Sequence, residues 1–189
     1  EINGLQPVIS HLVMAGDLIS YHSMTPGSPR FPLAYAWALE EFRIAREQIR
    51  RFEMPVWMVP GNHDTDAFET DAELFRSELG VPAYQRIEIA GVPVFLLNTG
   101  NGGMLGPAQR EWLLEQAATV PRDQEVLIVQ HIPTFDLVFS QAGSKRIIAE
   151  AFAGRSAPVF IVSGHHHSFS DRAYTANGTT FVQMQTTTA

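Results

Sequence analysis

Four apolar runs in this chain stop at polar residues of a particular kind. Leu12-Val13-Met14-Ala15 stops at Gly16-Asp17, and Val56-Trp57-Met58-Val59 stops at Pro60-Gly61-Asn62-His63-Asp64. Val126-Leu127-Ile128-Val129 stops at Gln130-His131, and Val159-Phe160-Ile161-Val162 stops at Ser163-Gly164-His165-His166-His167. Carboxylate, amide oxygen and imidazole together suit hard or borderline first-row divalent cations. The chain has no cysteine, which excludes thiolate zinc knots, a thiolate nucleophile and a disulfide framework. Each string alone is a weak signal. A Gly-Asp after a strand is more often a turn, a lone strand-end His is more often a hydrogen-bonded surface residue, and a His triplet can bind metal without purpose. Their joint occurrence at four run ends points to a shared cation site.

These residues need elements to carry them. Short apolar runs ending in glycine read as buried strands, around 11–16, 55–59, 125–130 and 159–163. Apolar residues at helical spacing predict an amphipathic helix over 33–52, with Ala34, Trp37, Ala38, Phe42, Ala45 and Ile49 on one face. Shorter helices are expected over 71–79, closed by Gly80, over 107–118, opened by Pro107, and over 144–153. Strands over 84–89 and 93–97 flank a turn at Ala90-Gly91-Val92, and Asn177-Gly178 predicts a hairpin of 172–176 with 179–184. Sequential α/β units followed by a hairpin imply a sheet-centred α/β domain. In such sheets the carboxyl ends of the strands line the ligand crevice. Glycine before Asp17, Asn62 and His165 would let the chain turn through positive φ there.

Composition bounds the function. The chain has 189 residues, 45% of them hydrophobic and 17% charged, enough to bury a core and most consistent with a single domain over 1–189. No window approaches the roughly 18 uninterrupted apolar residues of a membrane-spanning helix. A formal charge of −7 argues against binding a nucleic-acid backbone by bulk electrostatics. It leaves room for a small phosphate-bearing substrate, because a bound cation inverts the local field. Oligomeric state and compartment stay open.

The series Gly16-Asp17, Gly61-Asn62-His63-Asp64, His131 and Gly164-His165-His166-His167 resembles the calcineurin-like metallophosphoesterases. The likeness runs from about 11 to 184 and includes the string Met104-Leu105-Gly106-Pro107-Ala108-Gln109-Arg110-Glu111-Trp112-Leu113. It implies an αββα sandwich of two mixed sheets, with two divalent ions (Mn, Fe, Zn or Co) at the strand ends. Asp17 would bridge both ions; Asn62, His131 and His165 would complete one ligand set, and His167 would serve the other. His63 would stand near the leaving-group oxygen, oriented by Asp64, while His166 would point away. The implied activity is hydrolysis of a phosphoester, hydroxide generated by the metals attacking phosphorus in line with the ester oxygen. His63, if protonated, would assist the departing oxygen. Within the family, the stretch Ile2-Asn3-Gly4-Leu5 and the spacing to Gly61 are most similar to the cyclic-nucleotide phosphodiesterase-like branch. Phosphomonoesters, diesters and nucleotide pyrophosphates all stay open as substrates.

The match breaks at one place. The family opens with a strand ending in Asp-x-His, and this sequence contains no such string. Two accounts compete: an upstream strand–helix unit lies outside this sequence, or the protein is a degenerate, single-metal or non-catalytic binding member. The first is favoured, since loss of an internal strand exposes unpaired edges. Retention of His63 and Asp64 also weighs against a pure scaffold. Among smaller features, Tyr21 stands one residue out of register with the tyrosine ligand of purple acid phosphatases, and His22 reads as an exposed loop residue. The glycine-rich stretch 98–106 lacks the Lys-Ser/Thr of a P-loop and is expected to be a substrate lid or a mobile connection. Met54, Met58, Met104 and the tryptophans are expected in packing, His11 in the core or at an edge, and the Arg46-Arg50-Arg51 cluster on a solvated face.

Overall fold

The structure, a computed structural model, describes residues 8–20, 31–65, 72–100, 102–135 and 143–186. Along the chain the elements are β1 (Leu12–Met14), α1 (Phe31–Ile49), β2 (Val56–Met58), α2 (Glu73–Leu79), β3 (Gln85–Ile89), β4 (Val92–Leu97), α3 (Pro107–Ala118), β5 (Val126–Gln130), α4 (Ser144–Ala151), β6 (Val159–Ser163), β7 (Ser170–Ala176) and β8 (Thr179–Gln185). Strands β1 and β2 form a parallel pair. The other six form one mixed sheet of order β3-β4-β5-β6-β8-β7. In it β4, β5, β6 and β8 run parallel, while the edge strands β3 and β7 are antiparallel to their neighbours.

The two-residue period of a strand divides its side chains between two faces, and here that division builds the layers. Val94 and Leu96 of β4, with Leu127 and Val129 of β5, face Val13, Ala15, Trp57 and Val59 from the smaller sheet. Their alternates Phe95, Leu97, Val126 and Ile128 join Leu113, Ile147, Ile148 and Phe152 beneath α3 and α4. On the far side of the small sheet, Met14, Val56 and Met58 pack with Ala38 and Phe42 of α1 and Phe75 of α2. The sequence of layers is helix, sheet, sheet, helix: the expected αββα sandwich.

Both expected hairpin turns are present. Ala90-Gly91 joins β3 to β4 and Asn177-Gly178 joins β7 to β8, each pair at positive φ as a type I′ connection requires. Gly80 closes α2 at φ 70, and Pro107 opens α3. Some details differ from expectation. Helix α1 stops at Ile49, where Arg51 and Phe52 donate to the carbonyls of Gln48 and Ile49 in a tightened last turn. Trp57 and Trp112 pack as expected, but Trp37 is 67% exposed and Met104 52% exposed, both outside the core. His11 stacks on Trp57 with ring centroids 5.2 Å apart.

Candidate metal centre

Parallel strands deliver their carboxyl ends to one edge. In the small sheet Met14 pairs with Met58, so the loops Ala15-Gly16-Asp17 and Pro60-Gly61-Asn62 leave side by side. In the large sheet Gln130 pairs with Ser163, and Gly164 donates to the carbonyl of His131 at 3.0 Å. Two candidate ligands therefore come from each sheet, a carboxylate and an amide from the small pair and two imidazoles from the large sheet.

They do meet. Asn62 Oδ1 lies 2.9 Å from His131 Nε2 and 2.9 Å from His165 Nδ1. Asp17 Oδ2 lies 3.1 Å from His131 Nε2, and the two imidazole nitrogens stand 3.3 Å apart. Among the described residues, Asp17, His131 and His165 form a carboxylate–imidazole group whose ligand atoms all lie within 4.8 Å of one another. Donors about 2.0–2.2 Å from a common ion stand near 3 Å from each other, so the spacing fits a first-row divalent cation.

The tautomer of His131 follows from its other nitrogen. Nδ1 lies 2.8 Å from the carbonyl of Ala15, which can only accept, so Nδ1 carries the proton. In the neutral ring Nε2 then presents a lone pair toward two oxygens. A divalent cation at that point would reconcile acceptors turned on each other in this way. A backbone carbonyl behind an imidazole is the usual support of a metal-binding histidine.

A further layer holds His131 in place. Thr99 Oγ1 accepts the backbone N–H of His131 at 3.1 Å and of Ile132 at 2.9 Å. The neighbouring Asn98 is clasped by Gln109 of α3, whose Oε1 accepts the Asn98 N–H at 2.7 Å and whose Nε2 donates to its carbonyl at 2.8 Å. The sequence reading passed over Thr99 and the clasping role of Gln109. The pattern that pointed to the ligands was there too, since β4 also ends in polar residues, Asn98-Thr99. A threonine there has no distinctive metal chemistry to draw attention to it.

The glycines work differently from one another. Gly16 sits at φ 91, as expected of a turn residue. A Cβ on Gly61 would overlap the carboxylate and backbone of Asp17, so Gly61 is required by close approach. Positive φ falls instead on the candidate ligands themselves: Asp17 at 55° and His165 at 74°. Non-glycine residues there carry strain of order 1–3 kcal/mol and cluster at functional sites.

Asp17 is partly buried, which works to raise its pKa. The hydrogen bond and charge of His131, with the backbone N–H and charge of His63, outweigh this and hold the carboxyl below the ordinary range. Asp64 has no solvent exposure. Burial pushes its carboxyl up to about 6, the amide bond from Gly61 pulling the other way and the nearby charge of Asp17 adding to the rise. Its oxygens accept three backbone amides, from Leu18 at 2.8 Å, Ile19 at 3.2 Å and Gly61 at 2.8 Å. The backbone N–H of His63 donates to Asp17 Oδ1 at 3.0 Å, setting that residue against the site.

Of the residues read from sequence, Asp17, Asn62, His131 and His165 converge, and His63 and Asp64 adjoin them. His167 is exposed, at φ 50, and stands outside the converging group. His166 is exposed, its ring edge-on to that of His165 at 5.2 Å. Tyr21 and His22 lie outside the described residues. In the glycine-rich stretch Thr99 is buried and accepts the Gly103 N–H at 3.0 Å, which ties the described part of that loop to the end of β4.

The architecture is similar to that of solved proteins. A purple acid phosphatase from yellow lupin (Lupinus luteus) seeds matches 96% of this chain at 17% identity and a TM-score of 0.62, over 37% of its own length. A phosphopantetheinyl hydrolase from Mycobacterium tuberculosis matches 98% of the chain at 16% identity and a TM-score of 0.51, over 83% of its own length. This chain thus spans well under half of the lupin enzyme. No curated protein matches it in sequence. The calcineurin-like phosphoesterase family model matches residues 3–169, every element before β7 and all four strand ends that carry the candidate ligands, and the chain belongs to that family.

Proposed function

We propose that the protein is a metal-dependent phosphoester hydrolase whose cation is held by Asp17, Asn62, His131 and His165. The observation that carries this reading is the convergence of one carboxylate, one amide oxygen and two imidazole nitrogens within hydrogen-bond distance of each other. A divalent cation bound there supplies Lewis acidity, polarising a phosphoryl oxygen and acidifying water.

The chain's own residues do the rest. Asp17 supplies the negative charge that draws the ion in, and its second oxygen stays tied to His63 N–H. Ala15, through Nδ1 of His131, turns the lone pair of Nε2 toward the ion. His63, anchored beside Asp17, is the group we assign to the leaving-group oxygen, where a protonated imidazole stabilises developing charge. A second ion would take Asp17 and His167 from this chain, His167 being exposed and so open to further ligands. The substrate class is a small phosphoester, with diesters and nucleotides the first to try.

The test is hydrolysis of bis(p-nitrophenyl) phosphate and p-nitrophenyl phosphate with added Mn²⁺. Turnover is expected with metal and not with chelator. Asn62→Ala should cost at least about 100-fold, since even groups behind the ligands are worth 10–100-fold. An Asn62→Ala variant as active as wild type would remove the assigned ligand, and a metal-loaded wild type without turnover would leave a binding module.

A further inference from the structure

The two carboxylates of this site brace two loops reciprocally. Asp17, on the loop after β1, accepts His63 N–H from the loop after β2. Asp64, on the loop after β2, accepts Leu18 and Ile19 N–H from the loop after β1 through Oδ1, and Gly61 N–H from its own loop through Oδ2. One oxygen of Asp64 thus holds the Asp17 loop while the other holds the turn that presents Asn62. The side chain is fully buried, so water does not compete for those amides.

We infer that Asp64 is a positioning residue that sets the gap between Asp17 and Asn62, so that half of the ligand set is in place before a cation arrives. The inference rests on the proposed metal site and changes what Asp64 does there: it acts through backbone amides, not through the charge of the His63 ring. A carboxylate is required because it only accepts. In Asp64→Asn one oxygen can still receive Leu18 and Ile19. The new amide nitrogen then faces the N–H of Gly61, donor against donor, and the link between the loops opens. The β1–β2 pairing itself does not depend on it, since Val59 N–H donates to the Met14 carbonyl at 3.1 Å.

The experiment measures Mn²⁺ affinity by calorimetry on the full chain without substrate. Asp64→Asn should bind roughly 10–100-fold more weakly. His63→Ala keeps the backbone N–H to Asp17 and should stay within about twofold of wild type. Leu113→Ala, in the core beneath α3, serves as a control that loses stability while keeping its affinity. In the metal-free wild type, the amide hydrogens of Leu18 and Gly61 should exchange as slowly as those of β5, a readout independent of whether any variant folds. Affinity of Asp64→Asn within about twofold of wild type, or fast exchange at Leu18 and Gly61, overturns the inference. If Asn62→Ala loses affinity while Asp64→Asn keeps it, only the role of Asp64 falls; if wild type takes up no Mn²⁺, the metal site falls with it.

Discussion

Thr99 shows how much a single hydroxyl can hold. Its Oγ1 receives both the His131 and Ile132 amides in a place with no solvent. Thr99→Val keeps the shape and removes the acceptor, leaving two buried N–H groups unpaired. Each such group costs about 1–3 kcal/mol, so we expect a loss of about 2–6 kcal/mol in urea unfolding, with Thr99→Ser near wild type. Equal stability for Val and Ser would show that the hydroxyl is dispensable. At this scale the sequence was legible where residue type is itself chemistry: the Asp17, Asn62, His131 and His165 expected to converge do so. It was illegible where the type is common and the geometry does everything, as at Thr99 and at the carbonyl of Ala15. His167, expected to serve a different ion from Asn62, His131 and His165, stands outside their group.

Helix α3 carries the same lesson to the level of an element. Its buried positions are Gln109, Leu113 and Ala117, spaced by four, so a glutamine occupies the first place of an otherwise apolar stripe. The reason is the clasp on Asn98, which fixes the end of β4 and with it the Thr99 that holds His131. Replacing Gln109 by leucine suits the stripe and abandons the clasp. Stability should fall by about 2–6 kcal/mol, the cost of two unpaired buried backbone groups, whereas the exposed Glu115→Leu should change it by about 0.5 kcal/mol or less. A Gln109→Leu protein of unchanged midpoint would mean that packing alone sets α3. Elements with a strong period could be read directly: β4 and β5 alternate between two cores, and the turns at 90–91 and 177–178 have their own chemistry. The start of β7 could not. Its first residues, Ser170 and Asp171, join the sheet only because Gln185 and Met184 stand opposite them, and a polar edge strand has no apolar rhythm.

Across the whole molecule, the proposed ligands come from two sheets. Asp17 and Asn62 belong to the parallel pair, His131 and His165 to the six-stranded sheet, and the interlayer between them is a small core around Val59, Val94, Leu96 and Val129. A cation at their meeting point therefore acts as a cross-link between layers, and its binding free energy is stabilisation of the fold. The net charge of −7 favours uptake of a cation from any direction, so a general counter-ion effect must be separated from a specific one. At Mn²⁺ about 100-fold above its dissociation constant, linkage supplies about 2.7 kcal/mol. For a chain of this size that corresponds to a rise of roughly 5–10 °C in melting temperature. A chelator should reverse it, and His165→Ala should abolish it while leaving the metal-free midpoint within a few degrees. A screening effect of the ion on surface acids would behave otherwise, surviving His165→Ala and appearing equally with Na⁺ at matched ionic strength. That pattern would place the cation on the surface and leave the two sheets joined by their apolar interlayer alone.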